Sequence, residues 1–123
     1  MRDDYLQLPI DADEGFPQSF RLALGDRVYR IEAYVTVVDD ALLDSPDPLE
    51  LPQGGAFLVI GVQRDGVGGA VPLLRRKVMP GLEYEAGELA LVFTSVRVHP
   101  RNLNGAGAHG SRIVGGVAPR WVS

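Results

Sequence analysis

The sequence predicts an all-β fold over residues 1–123: a single-domain β-sandwich or small β-barrel with long loops. Three observations carry this. Apolar and polar residues alternate with a period of two in several runs, the pattern of strands that bury one face. The 15 Gly and 9 Pro fall between those runs, where they punctuate turns. No run has a convincing helical period, and about seven short strands separated by turns point to a sandwich or small barrel.

Taken in order, Tyr5 to Ile10 reads as a short edge strand, with Leu6, Leu8 and Ile10 on one face. Pro9 is tolerated there because an edge position need not donate its N–H. Asp11 to Pro17 is an acidic loop. Phe20 to Val38 (FRLALGDRVYRIEAYVTVV) reads as a hairpin about Gly25-Asp26. Phe20, Leu22 and Leu24 share a face of its first strand. Tyr29, Ile31, Ala33, Val35 and Val37 share a face of its second. A two-residue turn favours Gly because it needs positive φ.

Residues 39–55 (DDALLDSPDPLELPQGG) break the alternation; their three Pro and two Gly forbid a long element. Asp39-Asp40 is placed to cap one helical turn through Ala41–Leu43, which Ser45-Pro46 stops. Loops of this length in compact domains are usually functional or contact a partner. Ala56 to Arg64 (AFLVIGVQR) is the most apolar run, and both of its faces are apolar. Such a strand is central, or covered by another subunit.

Ala70 to Met79 returns after a Gly-rich turn, with Pro72 marking an edge or a bulge. Pro80-Gly81 has the residue order of a type II turn. Glu83 to Glu88 reads as a polar bridge. Glu88 to Val98 (ELALVFTSVRV) is a long strand, again apolar on both faces. Asn102 to Gly110 is a loop of small residues. In the last stretch, Ile113-Val114 reads as a short strand, Gly115-Gly116 as a kink and Trp121 as an anchor.

Composition excludes some functions. The chain has no Cys, which removes disulfides, thiolate zinc sites and Cys nucleophiles. With only His99 and His109, a multi-His metal site within one chain is not expected, and no cofactor is implied. The net charge of −4 argues against nucleic-acid binding. The acidic N-terminal stretch is not a signal peptide, and no apolar run is long enough for a transmembrane helix, so no membrane partner is expected.

The motifs are weak. Gly105 to Gly110 matches G-x-G-x-x-G, but the residues that follow contain Gly115, Gly116 and Pro119 and cannot supply the helix that a dinucleotide site requires. His99 and His109 lack a nucleophile signature. The acidic residues of 11–14 and 39–47 lack the spacing of a Ca²⁺ loop. Arg75-Arg76-Lys77 is the one basic run; it either meets an acidic partner or keeps an edge strand from aggregating.

The order of Leu8-Pro9, the hairpin F-x-L-x-L-G-D-x-x-Y-x-I (Phe20 to Ile31), the strand Phe57 to Val62 and Pro72-Leu73-Leu74 is similar to small tail-baseplate proteins of bacteriophages, the baseplate plug family. The insertion at 39–55 and the Gly-rich segment 102–123 are this chain's own departures. The resemblance implies a non-enzymatic structural component of a phage-type tail, at the baseplate or tail tip, made in the host cytoplasm and carried in the virion. Its partners would be other tail or baseplate proteins, with copies of itself in a homo-oligomer or ring.

Two strands apolar on both faces, in a chain without helices to cover them, agree with packing inside an assembly. The monomer's own alternative is a central strand that changes sides at a kink. Partner contacts are expected at Leu42, Leu43, Leu49 and Leu51, at Arg75, Arg76 and Lys77, and at Asn102, Leu103, Asn104 and Trp121. Removing 102–123 should then abolish assembly and leave a soluble core. The competing function is a small-molecule-binding or enzymatic β-barrel with residues 102–116 as a lid. A third is a free-standing adaptor, stable alone.

Overall fold

The computed structural model describes residues 5–105 and 107–120. The strands are β1 (Leu6–Gln7), β2 (Gln18–Leu24), β3 (Arg27–Val37), β4 (Leu49–Glu50), β5 (Ala56–Gly66), β6 (Gly69–Lys77), β7 (Glu83–Ala86), β8 (Leu89–Val98) and β9 (Arg112–Pro119). They form two antiparallel sheets. Sheet I runs β1-β9-β8, and β4 and β7 both pair with β8. Sheet II runs β2-β3-β5-β6. Their inner faces enclose one core, so the architecture is sandwich-like and not a closed barrel.

The β2–β3 hairpin forms as its local chemistry dictates. Leu24 pairs with Arg27, and Gly25 takes φ 64° at the first turn position, the pattern of a II′ turn. Tyr29, Ile31 and Ala33 are fully buried, and the register carries Phe20 opposite Ile31 and Leu22 opposite Tyr29. Pro72 lies in β6, an edge strand, beside a break in register between Val62 and Gln63. Gly81 has φ 89°, and Leu82 N–H donates to the Met79 carbonyl, which closes the Pro80-Gly81 turn.

The two doubly apolar strands are accommodated within the chain, in different ways. β5 is central in sheet II, between β3 and β6. Ala56, Leu58, Ile60 and Val62 point into the core. Val59, on the outer face and only 8% exposed, lies between Tyr34 and Lys77 on the neighbouring strands. β8 instead carries a bulge between Phe93 and Ser95. Leu89, Leu91 and Phe93 precede it, Val96 and Val98 follow it, and all five reach the core. The extra residue changes the strand's phase, so odd and even positions serve the same face.

Two expectations give way here. Glu83 to Glu88 is not a simple bridge: it contains β7, because Tyr84 and Ala86 face inward opposite Leu91 and Leu89 while Glu83 and Glu85 face out. Gly115-Gly116 does not kink a short strand, since β9 runs unbroken from Arg112 to Pro119. The glycines make room for aromatic rings. A Cβ on Gly115 would lie 2.6 Å from the Phe93 ring, and one on Gly116 would lie 2.7 Å from Tyr5 Cβ. Because β9 sits between β1 and β8, removing 102–123 would open sheet I instead of leaving an intact core.

Candidate functional site

The Pro-rich loop and the chain after β8 pack together at one end of the sandwich. Asp39 Oδ1 accepts from Ala41 N–H at 3.1 Å and caps a 3₁₀ turn, Asp40–Asp44, which ends at Ser45. A second 3₁₀ turn, Pro100–Asn104, starts after His99 and lies against the first. The buried His99 ring joins the two. Its Nδ1 accepts from Arg101 N–H at 3.1 Å, which leaves the proton on Nε2 for the Pro46 carbonyl, also at 3.1 Å. Ser111 Oγ accepts from His99 N–H at 2.7 Å and donates to Asn102 Oδ1, while Asn102 Nδ2 donates to the Gly107 carbonyl. A cavity of 590 Å³ opens beside this network, and its lining includes Leu43, Asp44, Arg101 and His109. His99 lines this cavity too, but it is a strut: both ring nitrogens are committed to backbone groups.

This arrangement decides where the expected contact residues lie. Leu42 and Leu49 are half-buried against the core, and Leu51 is 3% exposed within it. Asn102 is fully buried at the centre of the polar network, and Leu103 packs on the core while its carbonyl accepts Phe16 N–H at 2.9 Å. These five side chains hold the chain's own loops, and Leu51 and Asn102 have no surface to offer a partner. Leu43 and Asn104 are exposed. Trp121 lies outside the described residues. The glycines of the G-x-G-x-x-G match, Gly105, Gly107 and Gly110, all have positive φ, and β9 follows where a dinucleotide site needs a helix. Gly105 is required by close approach, since its Cβ would lie 2.6 Å from the Glu14 carbonyl oxygen.

The basic run is exposed, and each of its cations is set over an aromatic ring. Arg75 lies 5.7 Å from the Tyr34 ring centroid and donates to its hydroxyl at 2.8 Å. Lys77 lies 4.8 Å from Phe57, and Arg76 reaches the other way, 5.9 Å from Tyr84. The cationic stems therefore cover apolar surface on sheet II while their heads remain in water.

At the opposite end, Glu88 ties the sheets together. It sits in the β7–β8 turn and is 14% exposed. Arg64 of β5 donates to both of its carboxylate oxygens, at 2.7 and 2.9 Å; Tyr29 OH donates at 2.6 Å and Arg27 at 2.9 Å. Burial acts to raise the Glu88 pKa, but the combined hydrogen bonds from Tyr29, Arg64, its own backbone and Arg27 outweigh it and hold the carboxyl at about 2. Burial, then the hydrogen bond and charge of Glu88, push the Tyr29 hydroxyl up to about 12.

The outer face of sheet I carries an apolar groove. Ala90, Val92 and Ala118 point to this side but are buried, Tyr5 packs on Gly116, and a groove of 320 Å³ remains between Tyr5, Gly81, Val92, Thr94 and Val114. Tyr5 OH donates to Glu83 on one side. Glu85 pairs with Arg120 at 3.1 Å, and at the far end Arg97 pairs with Glu50 at 2.6 Å. Sequence inspection missed this face because the bulge hides which β8 residues point outward. The paired Gly115-Gly116 within an apolar run was the available signal. In comparisons with family models, curated proteins and solved structures, no match to this chain was found.

Proposed function

We propose that this chain is a non-enzymatic structural component of a phage-type tail, at the baseplate or tail tip, that works by docking to its neighbours through the outer face of sheet I. The observation that carries this is the apolar groove on that face, lined by Tyr5, Val92, Val114 and Gly116 and framed by charged residues, on a sandwich whose inner faces already fill their own core. Interfaces take this form, with an apolar core and a polar rim. The order of the Leu8-Pro9 segment, the Phe20–Ile31 hairpin and the Pro72-Leu73-Leu74 strand adds the resemblance to baseplate plug proteins. In this reading the His99 network and the Glu88 clasp make each end rigid, so that the face is presented preformed.

The test is whether the chain travels with tails. Particles are purified from the lysate of cells that make them, sedimented, and quantified for this chain by mass spectrometry. A fixed number of copies per tail, retained through high salt, is expected. A chain found only in the slowly sedimenting, unassembled fraction overturns the proposal.

A further inference from the structure

We propose that the open edge of sheet II, strand β2, is a strand-addition site for an extended segment of a partner protein in which one acidic residue lies between two apolar ones. The acid meets Arg21, and the apolar pair meets Phe20 and Leu22. This site is separate from the groove on sheet I and does not depend on the tail assignment.

β2 is the one long, regular edge among the described strands. It pairs with β3 on one side only, over seven residues without a break. The other edge of sheet II, β6, carries Pro72 and a break in register. The outer strands of sheet I run for only two or four residues. Proline, irregularity and shortness are the usual guards of an edge, and β2 has none of them. Leu24 pairs with Arg27 across a two-residue turn, so Leu24, Leu22 and Phe20 exchange hydrogen bonds with β3. The N–H and C=O groups of Ser19, Arg21 and Ala23 therefore point away from the sheet. Among the described residues, no backbone group outside the β2–β3 ladder bonds to them, and all three residues are exposed. An added strand gains about six backbone hydrogen bonds there.

Side chains set what kind of strand fits. Phe20 and Leu22 pack on the core but are only half-buried, because no strand lies beyond β2 to cover them. Arg21, between them, is exposed on the outer face and stands directly across from Arg30 of β3. Arg30 has Glu32 at 3.7 Å, whereas Arg21 has no ion pair among the described residues. By contrast, Arg27, Arg64, Arg97 and Arg120 each hold a glutamate. Like charges side by side on neighbouring strands repel, and a carboxylate placed next to Arg21 relieves that. Side chains alternate between faces along a strand. The residue beside Arg21 thus has its two sequence neighbours beside Phe20 and Leu22, on the core side. The site selects the order apolar, acidic, apolar, and it repels a basic residue at the middle position.

The test is an amide NMR titration of the full chain with two acetylated, amidated peptides, STVEVTS and STVKVTS. STVEVTS is expected to bind with a dissociation constant below about 1 mM, and to slow hydrogen exchange at the amides of Ser19, Arg21 and Ala23. STVKVTS should bind about tenfold more weakly or worse. Arg21→Glu should reverse that order. Arg21→Pro removes an N–H that β3 does not use, so it should abolish binding of both peptides and keep the fold. Arg75→Glu, on the far edge strand, should leave both affinities unchanged. Thermal unfolding checks the fold of each variant, and Arg21→Glu carries the test if the proline variant unfolds.

No binding of STVEVTS at about 5 mM overturns the proposal. So does equal binding of the two peptides, an Arg21→Glu variant that keeps the wild-type order, or a folded Arg21→Pro variant that binds as wild type does. A chain that binds STVEVTS but is absent from purified tails keeps this site and sinks the tail assignment. A tail-borne chain that ignores the peptide does the reverse.

Discussion

β5 and β8 look alike as sequence and are built differently. Each is an apolar run with no polar face, and each lies at the middle of its sheet. β5 keeps its period of two and sends Phe57 and Val59 outward, where Tyr34 and the stem of Lys77 shelter them. β8 breaks its period at the bulge between Phe93 and Ser95 and sends most of its large residues inward. The consequence reaches the surface. The outside of β5 is covered by the chain's own cations, while the outside of β8 is crossed by Tyr5, which packs on Gly116, reaches Glu83 and leaves an apolar groove beside it. Doubly apolar strands therefore do not require a partner. What points to one is the apolar groove on sheet I beside Tyr5.

The largest expected effect tests the assignment of inside and outside. Phe93→Ala removes a fully buried ring seated against Gly115 and should cost about 3–5 kcal/mol in urea unfolding. Phe57→Ala removes a half-buried ring from the outer face of β5 and should cost about 1–2 kcal/mol, in line with the smaller apolar area it hides. Equal losses at the two positions would mean that the bulge does not set the phase of β8 as described.

Next in size is the joint between the two strands, because Arg64 lies on β5 and Glu88 immediately precedes β8. The folded-state pKa of Glu88 is depressed from 4.5 to about 2. Its stabilisation is therefore present in full above about pH 4.5 and is lost as pH falls toward 2. The shift corresponds to an upper bound of about 3 kcal/mol. Glu88→Gln should destabilise the protein at pH 7 by about 2–3 kcal/mol, since it leaves Arg64 without its carboxylate. It should also flatten the acid limb of the stability curve between those pH values. A variant with the wild-type acid limb would show that other carboxylates govern it.

How much of this was legible follows from the range of the interactions involved. The β2–β3 hairpin, the Asp39 cap and the Pro80-Gly81 turn were readable because each is settled by residues a few positions apart. The bulge was not. It shifts a register that only the partner strand defines, so Phe93 and Val96 look like opposite faces until β9 is in place. Gly115-Gly116 read as a kink because glycine frees the backbone, whereas here it admits the side chains of Phe93 and Tyr5 from distant parts of the chain. The loop residues followed the same rule. Leu51 and Asn102 were expected at a partner interface, but their neighbours, Val96 across from Leu51 and Ser111 beside Asn102, could not be known from local sequence. The face on sheet I was illegible for the reason the bulge was.

The smallest effect separates two ways of covering β5. Lys77 shelters the outer face through its aliphatic stem and, 4.8 Å from the Phe57 centroid, through its charge. Lys77→Ala removes both and should cost about 1 kcal/mol; Lys77→Met keeps a stem of similar reach and should cost less than about 0.5 kcal/mol. Chemical denaturation of the two variants, each repeated in the Phe57→Ala background, reads the coupling directly. If the stem dominates, Met replaces Lys in both backgrounds and Ala in neither. If the charge over the ring dominates, Met and Ala lose the same amount with Phe57 present and neither loses that amount without it. The second result would make β5 an electrostatically covered strand. A substitution such as Lys77→Glu, which reverses the charge, would then leave the Phe57 ring on sheet II without its cationic cover.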